Sequence, residues 1–280
     1  WNVLNIDYEM NGKDLIESFV LSSKINRVIG GKPPNNFTYE LFLDENGEKI
    51  SKSIGNGISV EDWLKFSPQE SLELFMFQNP SRAKRLYFDV IPKMTDDYLK
   101  LRKDYETQNR EEKYQNPLWF INKTKDYKFL ENFSFNMILN LANVCNAESP
   151  EILWGFIENY YKNIKRIDFP LINELLNYGV QYYNEFVLPN KKYRKPNELE
   201  TTGLRKIIEE LKKIDKNCKP EDIQTKIYQI GMDLKFENLR DWFSAFYQVV
   251  LGQNQGPRLG SFIKFYGIEK TINLLEERLS

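Results

Sequence analysis

The spacing of apolar residues changes near residue 86 of this chain. Before that point, short runs rich in apolar and β-branched residues, such as Leu4 to Tyr8 and Thr38 to Leu43, predict strands. After it, apolar residues recur at helical spacing as far as the last segment, which predicts helices over most of 86–280. The pattern indicates a mostly α chain with a small α/β portion at its beginning.

The first 48 residues have the element order of a βαβ unit. A helix is predicted from about Asp14 to Ile29, with Asp14 as its N-cap and with Leu15, Phe19, Ile25 and Ile29 on an approximate apolar stripe. Gly30-Gly31 ends that helix, and Pro33-Pro34 prevents its continuation. The two strand candidates flank the helix with short connections, as parallel strands do. Because one such unit cannot cover both faces of a parallel sheet, we expect it to need partners.

The helical part carries clear start signals. Ser59 and Ser149 stand where N-caps are expected, and Pro150 and Pro220 occupy first helical positions. Apolar stripes at helical spacing comprise Leu204, Ile207, Ile208, Leu211 and Ile214, then Ile223, Ile227 and Ile230. The segment 239–251 is apolar and aromatic nearly all round, so we expect it in the core, and 268–279 is predicted as the last helix.

Composition narrows the possible chemistry. The 280 residues are 41% hydrophobic with a net charge of -1, so the chain can fill a core and has no overall basic field. It contains no histidine, which excludes mechanisms that need an imidazole from this chain. The two cysteines, Cys145 and Cys218, form no metal-binding pair, and together with the lack of a signal-like start they favour the cytosol. Because the chain begins with Trp1 rather than Met, we expect a fragment.

The stretch Lys49 to Asn56 carries the strongest chemical signal. It reads Lys-Ile-Ser-Lys-Ser-Ile-Gly-Asn, with two lysines three residues apart and hydroxyls beside them. Lysine ammonium groups, hydroxyls and loop amides all suit phosphate oxygens. Taken alone, the same stretch is equally compatible with a solvated polar loop.

Three separated stretches resemble the class I lysyl-tRNA synthetases. Lys49 to Ser53 resembles the KMSKS signature of class I aminoacyl-tRNA synthetases, with Ile50 in place of Met. Its surroundings, the stretch 7–14 ahead of it and the stretch 252–263 far downstream are similar to that family in particular. The three stretches occur in the right order, and the resemblance spans the whole chain.

The resemblance implies a division of the chain into three parts. Residues 1–66 would be the C-terminal part of a Rossmann-type class I catalytic domain. Residues 67–130 would be a helical connecting region, and 131–280 an all-helical anticodon-binding domain of the helix-cage type. The HIGH-type motif of the family needs histidine, so it cannot lie here, and we expect the chain alone not to aminoacylate tRNA.

The resemblance also implies roles around ATP. Lys49 and Lys52 would bind ATP phosphates, with Ser51 and Ser53 in the same catalytic loop. They would do so while the carboxylate of the substrate L-lysine attacks the α-phosphorus of ATP. Magnesium would accompany ATP. Asn56 would belong to the nucleotide site. Gly12 and Asp14 resemble the glycine-and-acid element that holds adenosine, and Leu15 stands where the family usually has histidine.

Basic residues give weaker signals for tRNA. Arg82, Lys84 and Arg85 precede two aromatic residues, a pattern that suits RNA, although a solvated charged face is the common alternative. The same alternative applies to the run 191–195. The aromatic residues of 242–247 are predicted in the core rather than at an anticodon. Arg258 follows Gly256-Pro257, where a preset turn would present it to RNA unless it caps the preceding helix.

The expected partners are therefore ATP, L-lysine and a lysine-accepting tRNA. Three alternatives stay open at this point. Another class I synthetase, such as a glutamyl one, would share the loop and a helical domain. A helical RNA-binding module without chemistry, or a helical interaction domain, would contain Lys-Ile-Ser-Lys-Ser by chance.

Overall fold

The computed structural model describes residues 1–51, 53–121, 128–131, 133–161, 163–215, 218–236 and 238–280. It is 62% helical, which confirms the mostly α prediction. The chain divides into two compact units, Trp1–Lys125 and Asp126–Ser280, which we call the N-terminal and C-terminal units. The three-part division at residues 66 and 130 stays a prediction.

A parallel βαβ unit opens the N-terminal unit, as predicted. β1 (Tyr8–Gly12) pairs with β2 (Asn35–Tyr39) in parallel, with Tyr8 opposite Asn35 and Gly12 opposite Tyr39. A 3₁₀ turn (Lys13–Leu15) and helix α1 (Ile16–Val28) connect the two strands. Gly30, with a φ of 82°, ends the helical segment, because only glycine adopts that conformation readily.

Three details of this unit differ from the prediction. The first strand is Tyr8–Gly12 and not 4–8, because Asn5 takes a left-handed φ of 51° inside a turn. Asp14 lies within the 3₁₀ turn and does not cap α1, which has no side-chain cap. The strand predicted over 38–43 is interrupted after Tyr39, where the Glu40 N–H turns to the Pro80 carbonyl.

The apolar stripe predicted for α1 faces outward except at Phe19, which is half-buried against the Trp1 ring. Leu15, Ile25 and Ile29 are each more than half exposed, whereas the buried residues of this helix are Ser23 and Asn26. The two strands and one helix of a single βαβ unit leave one face of the helix uncovered among the described residues, which is the physical reason for the exposure.

Short strands and helices complete the N-terminal unit. β3 (Phe42–Leu43) pairs in parallel with β4 (Lys84–Arg85). The helices are α2 (Val60–Leu64), α3 (Gln69–Phe77), α4 (Val90–Thr107), α5 (Arg110–Gln115) and α6 (Leu118–Ile121). Ser59 caps α2 in a capping box with Asp62, which confirms that start signal. Inside, the Trp63 indole donates to the Ser71 hydroxyl at 2.9 Å.

All regular secondary structure among the described residues of the C-terminal unit is helical. Its helices are α7 (Phe135–Cys145), α8 (Pro150–Tyr160), α9 (Pro170–Tyr182), α10 (Glu198–Lys213), α11 (Pro220–Asp233), α12 (Leu239–Phe246), α13 (Leu259–Tyr266) and α14 (Ile268–Leu279). Two π-helical turns, Tyr183–Val187 and Tyr247–Leu251, extend α9 and α12. The starts at Pro150 and Pro220 and the last helix are as predicted.

Trp242 marks the centre of the C-terminal core. Its indole is fully buried and donates to the Ile227 carbonyl at 3.0 Å. A Cβ at Gly203 would lie 2.6 Å from this ring, and one at Gly231 would lie 2.5 Å from it. The two glycines therefore allow α10 and α11 to approach the indole. The burial of Trp242, Phe246 and Tyr247 confirms that this aromatic segment belongs to the core. Within the described part of the chain, no helix is long and apolar enough to span a membrane.

Candidate functional site

The 49–56 loop begins at the edge of β3. Lys49 forms an antiparallel bridge with Leu43, and the Ile50 N–H donates to the Phe42 carbonyl at 3.2 Å. Between them lies a tight turn in which Gly47 has a φ of 86°, a conformation that favours glycine. The short strand therefore fixes where the loop starts.

One carboxylate organises the turn before the loop. Asp44 Oδ1 accepts from the backbone N–H groups of Asn46 and Glu48, at 3.0 and 2.9 Å. Its Oδ2 accepts from Asn56 Nδ2 at 2.9 Å. These hydrogen bonds, first that from Glu48 and then that from Asn56, lower the pKa of Asp44. Asp44 is buried, with 7% of its surface exposed.

Three of the four predicted catalytic residues, Lys49, Ser51 and Ser53, lie within the described part of the chain. Lys49 is exposed, and no hydrogen bond or ion pair of its ammonium group occurs among the described residues. The hydroxyls of Ser51 and Ser53 lie 2.8 Å apart and are hydrogen bonded to each other. Lys52, the other predicted signature lysine, lies outside the described residues. Among its described residues, the loop thus presents the Lys49 ammonium group and the hydroxyls of Ser51 and Ser53 to an anionic ligand.

Gly12 and Asp14 lie together at the carboxyl end of β1. A Cβ at Gly12 would stand 2.7 Å from Asp14 Oδ1, so glycine is what allows the carboxylate to approach the backbone. Lys13 and Glu40 form an ion pair of 2.8 Å beside them. The carboxyl ends of parallel strands are where open α/β sheets bind ligands. No hydrogen bond or ion pair joins this group to the 49–56 loop in the described parts of the chain.

The three basic residues of 82–85 have different surroundings. Arg82 and Arg85 are exposed, and the Arg85 guanidinium lies against the turn at Gly47. Lys84 is half-buried, and its ammonium group donates to the carbonyl oxygens of Phe75 and, at 2.7 Å, of Gln78. Burial lowers the pKa of Lys84. Its contacts indicate that Lys84 holds β4 to the C-terminal end of α3.

This contact predicts a loss of stability when Lys84 is replaced. Lys84→Met should lower the free energy of unfolding of the N-terminal unit by about 1–3 kcal/mol, because helix-end carbonyls lose their donor. The matched control, Arg82→Gln, should stay within about 0.5 kcal/mol of wild type. Amide hydrogen exchange of α3 measures both. A stable Lys84→Met variant with weakened tRNA binding would instead assign the residue to RNA.

Within the run 191–195, two cations have internal partners. Arg194 forms a bidentate ion pair with Glu200, with both N–O distances 2.7 Å, and this lowers the pKa of Glu200. Lys191 Nζ donates to the Asn143 carbonyl at 2.6 Å and to Asn146 Oδ1 at 2.9 Å. The interpretation as a solvated charged face therefore applies to Lys192 and Lys195, which are exposed.

The Lys191 ammonium group should lose its proton at an unusually low pH for a lysine. Burial, with a smaller effect of the Arg278 charge, lowers its pKa to about 8 from 10.5. Between those values the folded chain releases this proton before the unfolded chain does. The free energy of unfolding of wild type, relative to Lys191→Met, should therefore rise from pH 8 to 10.5. Carbon-13 NMR of the lysine side chains gives the pKa directly, and Arg278→Gln should raise it. If the difference in the free energy of unfolding between wild type and Lys191→Met did not depend on pH, the lowered pKa of Lys191 would be contradicted.

Arg258 stands just before α13 and is exposed. The preceding helical segment ends at Leu251 with Gly252 as its C-cap, so the alternative that Arg258 caps that segment is wrong. The Tyr247 hydroxyl donates to the Pro257 carbonyl at 2.6 Å, which fixes the turn. Arg258 is thus presented to solvent by a constrained turn.

Sequence reasoning missed Asp44 as a site residue. It belongs to Asp-Glu-Asn-Gly, which indicates a turn, and an aspartate at the first turn position commonly accepts local backbone N–H groups. The hydrogen bond to Asn56, twelve positions along the chain, has no signal in the sequence. In the described residues, no group of three or more Cys, Asp or Glu is arranged to hold a metal ion.

Comparisons with known proteins find similarity to tRNA synthetases over the part of the chain that contains the 49–56 loop. The sequence profile of the family described as tRNA synthetases class I (K) matches residues 1–125. A lysine–tRNA ligase of Rickettsia bellii (strain OSU 85-389) is 48% identical over 100% of this chain and 54% of its own length. One of Rickettsia felis is 47% identical with the same coverage. The chain spans about half the length of these relatives.

Among solved structures, a glutamate tRNA ligase from Elizabethkingia meningosepticum is 14% identical, with a TM-score of 0.35, over 99% of this chain and 57% of that chain. Identity over the full length of this chain is far higher to the lysine–tRNA ligases. Residues 1–125 therefore match the class I (K) tRNA synthetase family, and the whole chain is similar to about half of the Rickettsia lysine–tRNA ligases.

Proposed function

We propose that this chain is the C-terminal part of a lysine–tRNA ligase that supplies its ATP-phosphate loop and its tRNA-binding surfaces. The observation that carries the proposal is the 49–56 loop, in which the exposed Lys49 ammonium group and two serine hydroxyls follow a strand edge. The overall reaction would convert lysine, ATP and tRNA to lysyl-tRNA, AMP and pyrophosphate.

The 49–56 loop would act through electrostatics. As the lysine carboxylate attacks the α-phosphorus, negative charge develops on the departing pyrophosphate. Lys49 and Lys52 would stabilise that charge, and magnesium would enter with ATP on its phosphate oxygens. Asp14, held over Gly12 at the end of β1, would accept hydrogen bonds from the ribose hydroxyls of the adenylate.

The tRNA would contact both units. Arg82 and Arg85 are exposed beside the turn that precedes the loop, and Arg258 is exposed on the turn before α13. Each presents a guanidinium suited to phosphate or base. Lys84 is left out because its ammonium group already contacts helix carbonyls. Residues 67–130 would connect the catalytic part to the anticodon-binding part, and the reaction would take place in the cytoplasm.

Charging assays test the proposal. The full-length protein carrying this segment should attach lysine to lysine-accepting tRNA transcripts, and anticodon swaps should reduce charging. Charging with glutamate would favour the glutamyl alternative. Equal binding of all transcripts without any charging would favour a non-catalytic RNA-binding module.

A further inference from the structure

Asn56 has no free amide hydrogen for a ligand. One hydrogen of Nδ2 is donated to Asp44 Oδ2 at 2.9 Å, and the other to the Lys49 carbonyl at 3.3 Å. Its Oδ1 accepts from the Ser51 N–H at 2.9 Å. A side chain amide offers two N–H donors, so both are already occupied.

These hydrogen bonds join the two ends of the 49–56 loop. Asn56 reaches back along the chain to hold the backbone on either side of Ile50. The Gly55 N–H donates to the Ser51 carbonyl at 3.0 Å, and Gly55 has a φ of 70°, so the chain turns back on itself just before Asn56. Asp44 in turn fixes Asn56 from the preceding turn, which its other carboxylate oxygen organises.

We propose that Asp44 and Asn56 form a positioning pair that sets the backbone of the phosphate-binding loop, and that Asn56 does not itself bind ATP. The inference rests on the proposed function for its catalytic consequence, although the pairing itself concerns only this chain. It assigns a role to Asp44 and replaces the expectation that Asn56 contacts the nucleotide.

The pair should act on turnover more than on ATP binding. If the backbone of the 49–56 loop is already held in place, it does not have to become ordered before Lys49 can act. Loss of orientation at a reacting centre lowers the rate by about 10- to 100-fold. We therefore expect Asp44→Asn and Asn56→Asp each to lower kcat for ATP–pyrophosphate exchange by about 10- to 100-fold. The KM for ATP should change by much less.

Reversing the pair supplies the decisive variant. In Asp44→Asn, two NH₂ groups face each other, and in Asn56→Asp two carboxylates do. The double variant Asp44→Asn/Asn56→Asp restores one donor and one acceptor across the gap, and leaves only the Lys49 carbonyl without the longer, 3.3 Å hydrogen bond. It also keeps acceptors for the N–H groups of Ser51 and Glu48. We expect the double variant to recover most of the lost kcat, whereas Glu45→Gln, an exposed charge change in the same turn, should leave kcat unaltered.

Amide hydrogen exchange separates this proposal from the proposed function. On the present chain, the Ser51 N–H should lose protection in each single variant and regain it in the double variant. That result would establish the pairing of Asp44 with Asn56 even if the full-length protein showed no lysine-dependent ATP–pyrophosphate exchange. In that case the proposed function would be wrong and the pairing would still hold. Unaltered protection in the single variants would overturn the pairing. With an active enzyme, wild-type kcat in Asn56→Asp, or a double variant as impaired as the singles, would overturn the positioning role.

Discussion

Replacing Lys52 or Lys49 with alanine in the full-length protein should lower the rate of tRNA-supported ATP–pyrophosphate exchange by about 10²–10³. This is the usual loss when one donor to a developing oxyanion is removed, since the donor contributes about 2.7–4 kcal/mol to the transition state. Lys49 is exposed with its ammonium group available, and the loop that carries it is fixed at β3. The effect should therefore fall on the chemical step.

Two controls make the result specific. Lys24→Ala removes an exposed lysine from α1 and should leave the exchange rate unaltered. Filter binding of tRNA should be unaltered in the Lys49 and Lys52 variants, because these side chains are proposed to bind ATP phosphates. An unchanged exchange rate in both variants would contradict the role of the loop.

Replacing Gly260 with alanine should destabilise the C-terminal unit by about 3 kcal/mol. Gly260 lies at the start of α13, against the start of α11. A Cβ there would overlap the van der Waals radius of the Pro220 carbonyl oxygen. It would also lie 2.9 Å from the Gln224 backbone nitrogen. The Gly260 N–H also donates to Gln224 Oε1 at 2.9 Å, so the helices cannot separate without losing that bond.

Gly155 provides the matched control. It lies in α8 with nothing within 4 Å of the position that a Cβ would take. Gly155→Ala should therefore be neutral or stabilise the unit by about 0.5–1 kcal/mol, as alanine favours helix. Amide hydrogen exchange of α11 and α13 reports both values. A loss below about 0.5 kcal/mol in Gly260→Ala would show that the helices adjust and would contradict the close packing.

Local signals in the sequence predicted most of the fold. Ser59, Pro150 and Pro220 mark helix starts because a cap or a first-turn proline acts within a few residues. The βαβ order followed from the stop at Gly30 for the same reason. The strand predicted over 4–8 was wrong because one left-handed residue, Asn5, outweighs an apolar run.

The site was less predictable because its contacts join distant positions. Lysines look alike in a sequence, yet Lys49 is exposed while Lys84 contacts helix carbonyls and Lys191 contacts Asn143. Those differences depend on where carbonyl groups lie after folding. The pairing of Asp44 with Asn56 likewise requires the loop to be closed before it can be recognised.

The central claim is that the 49–56 loop serves ATP chemistry in a lysine–tRNA ligase. The most direct measurement is ATP–pyrophosphate exchange by the full-length protein, with tRNA present, supplied with either lysine or glutamate. Lysine should support exchange, and glutamate at the same concentration should not. Exchange that requires glutamate, or that occurs with neither amino acid, would contradict the account.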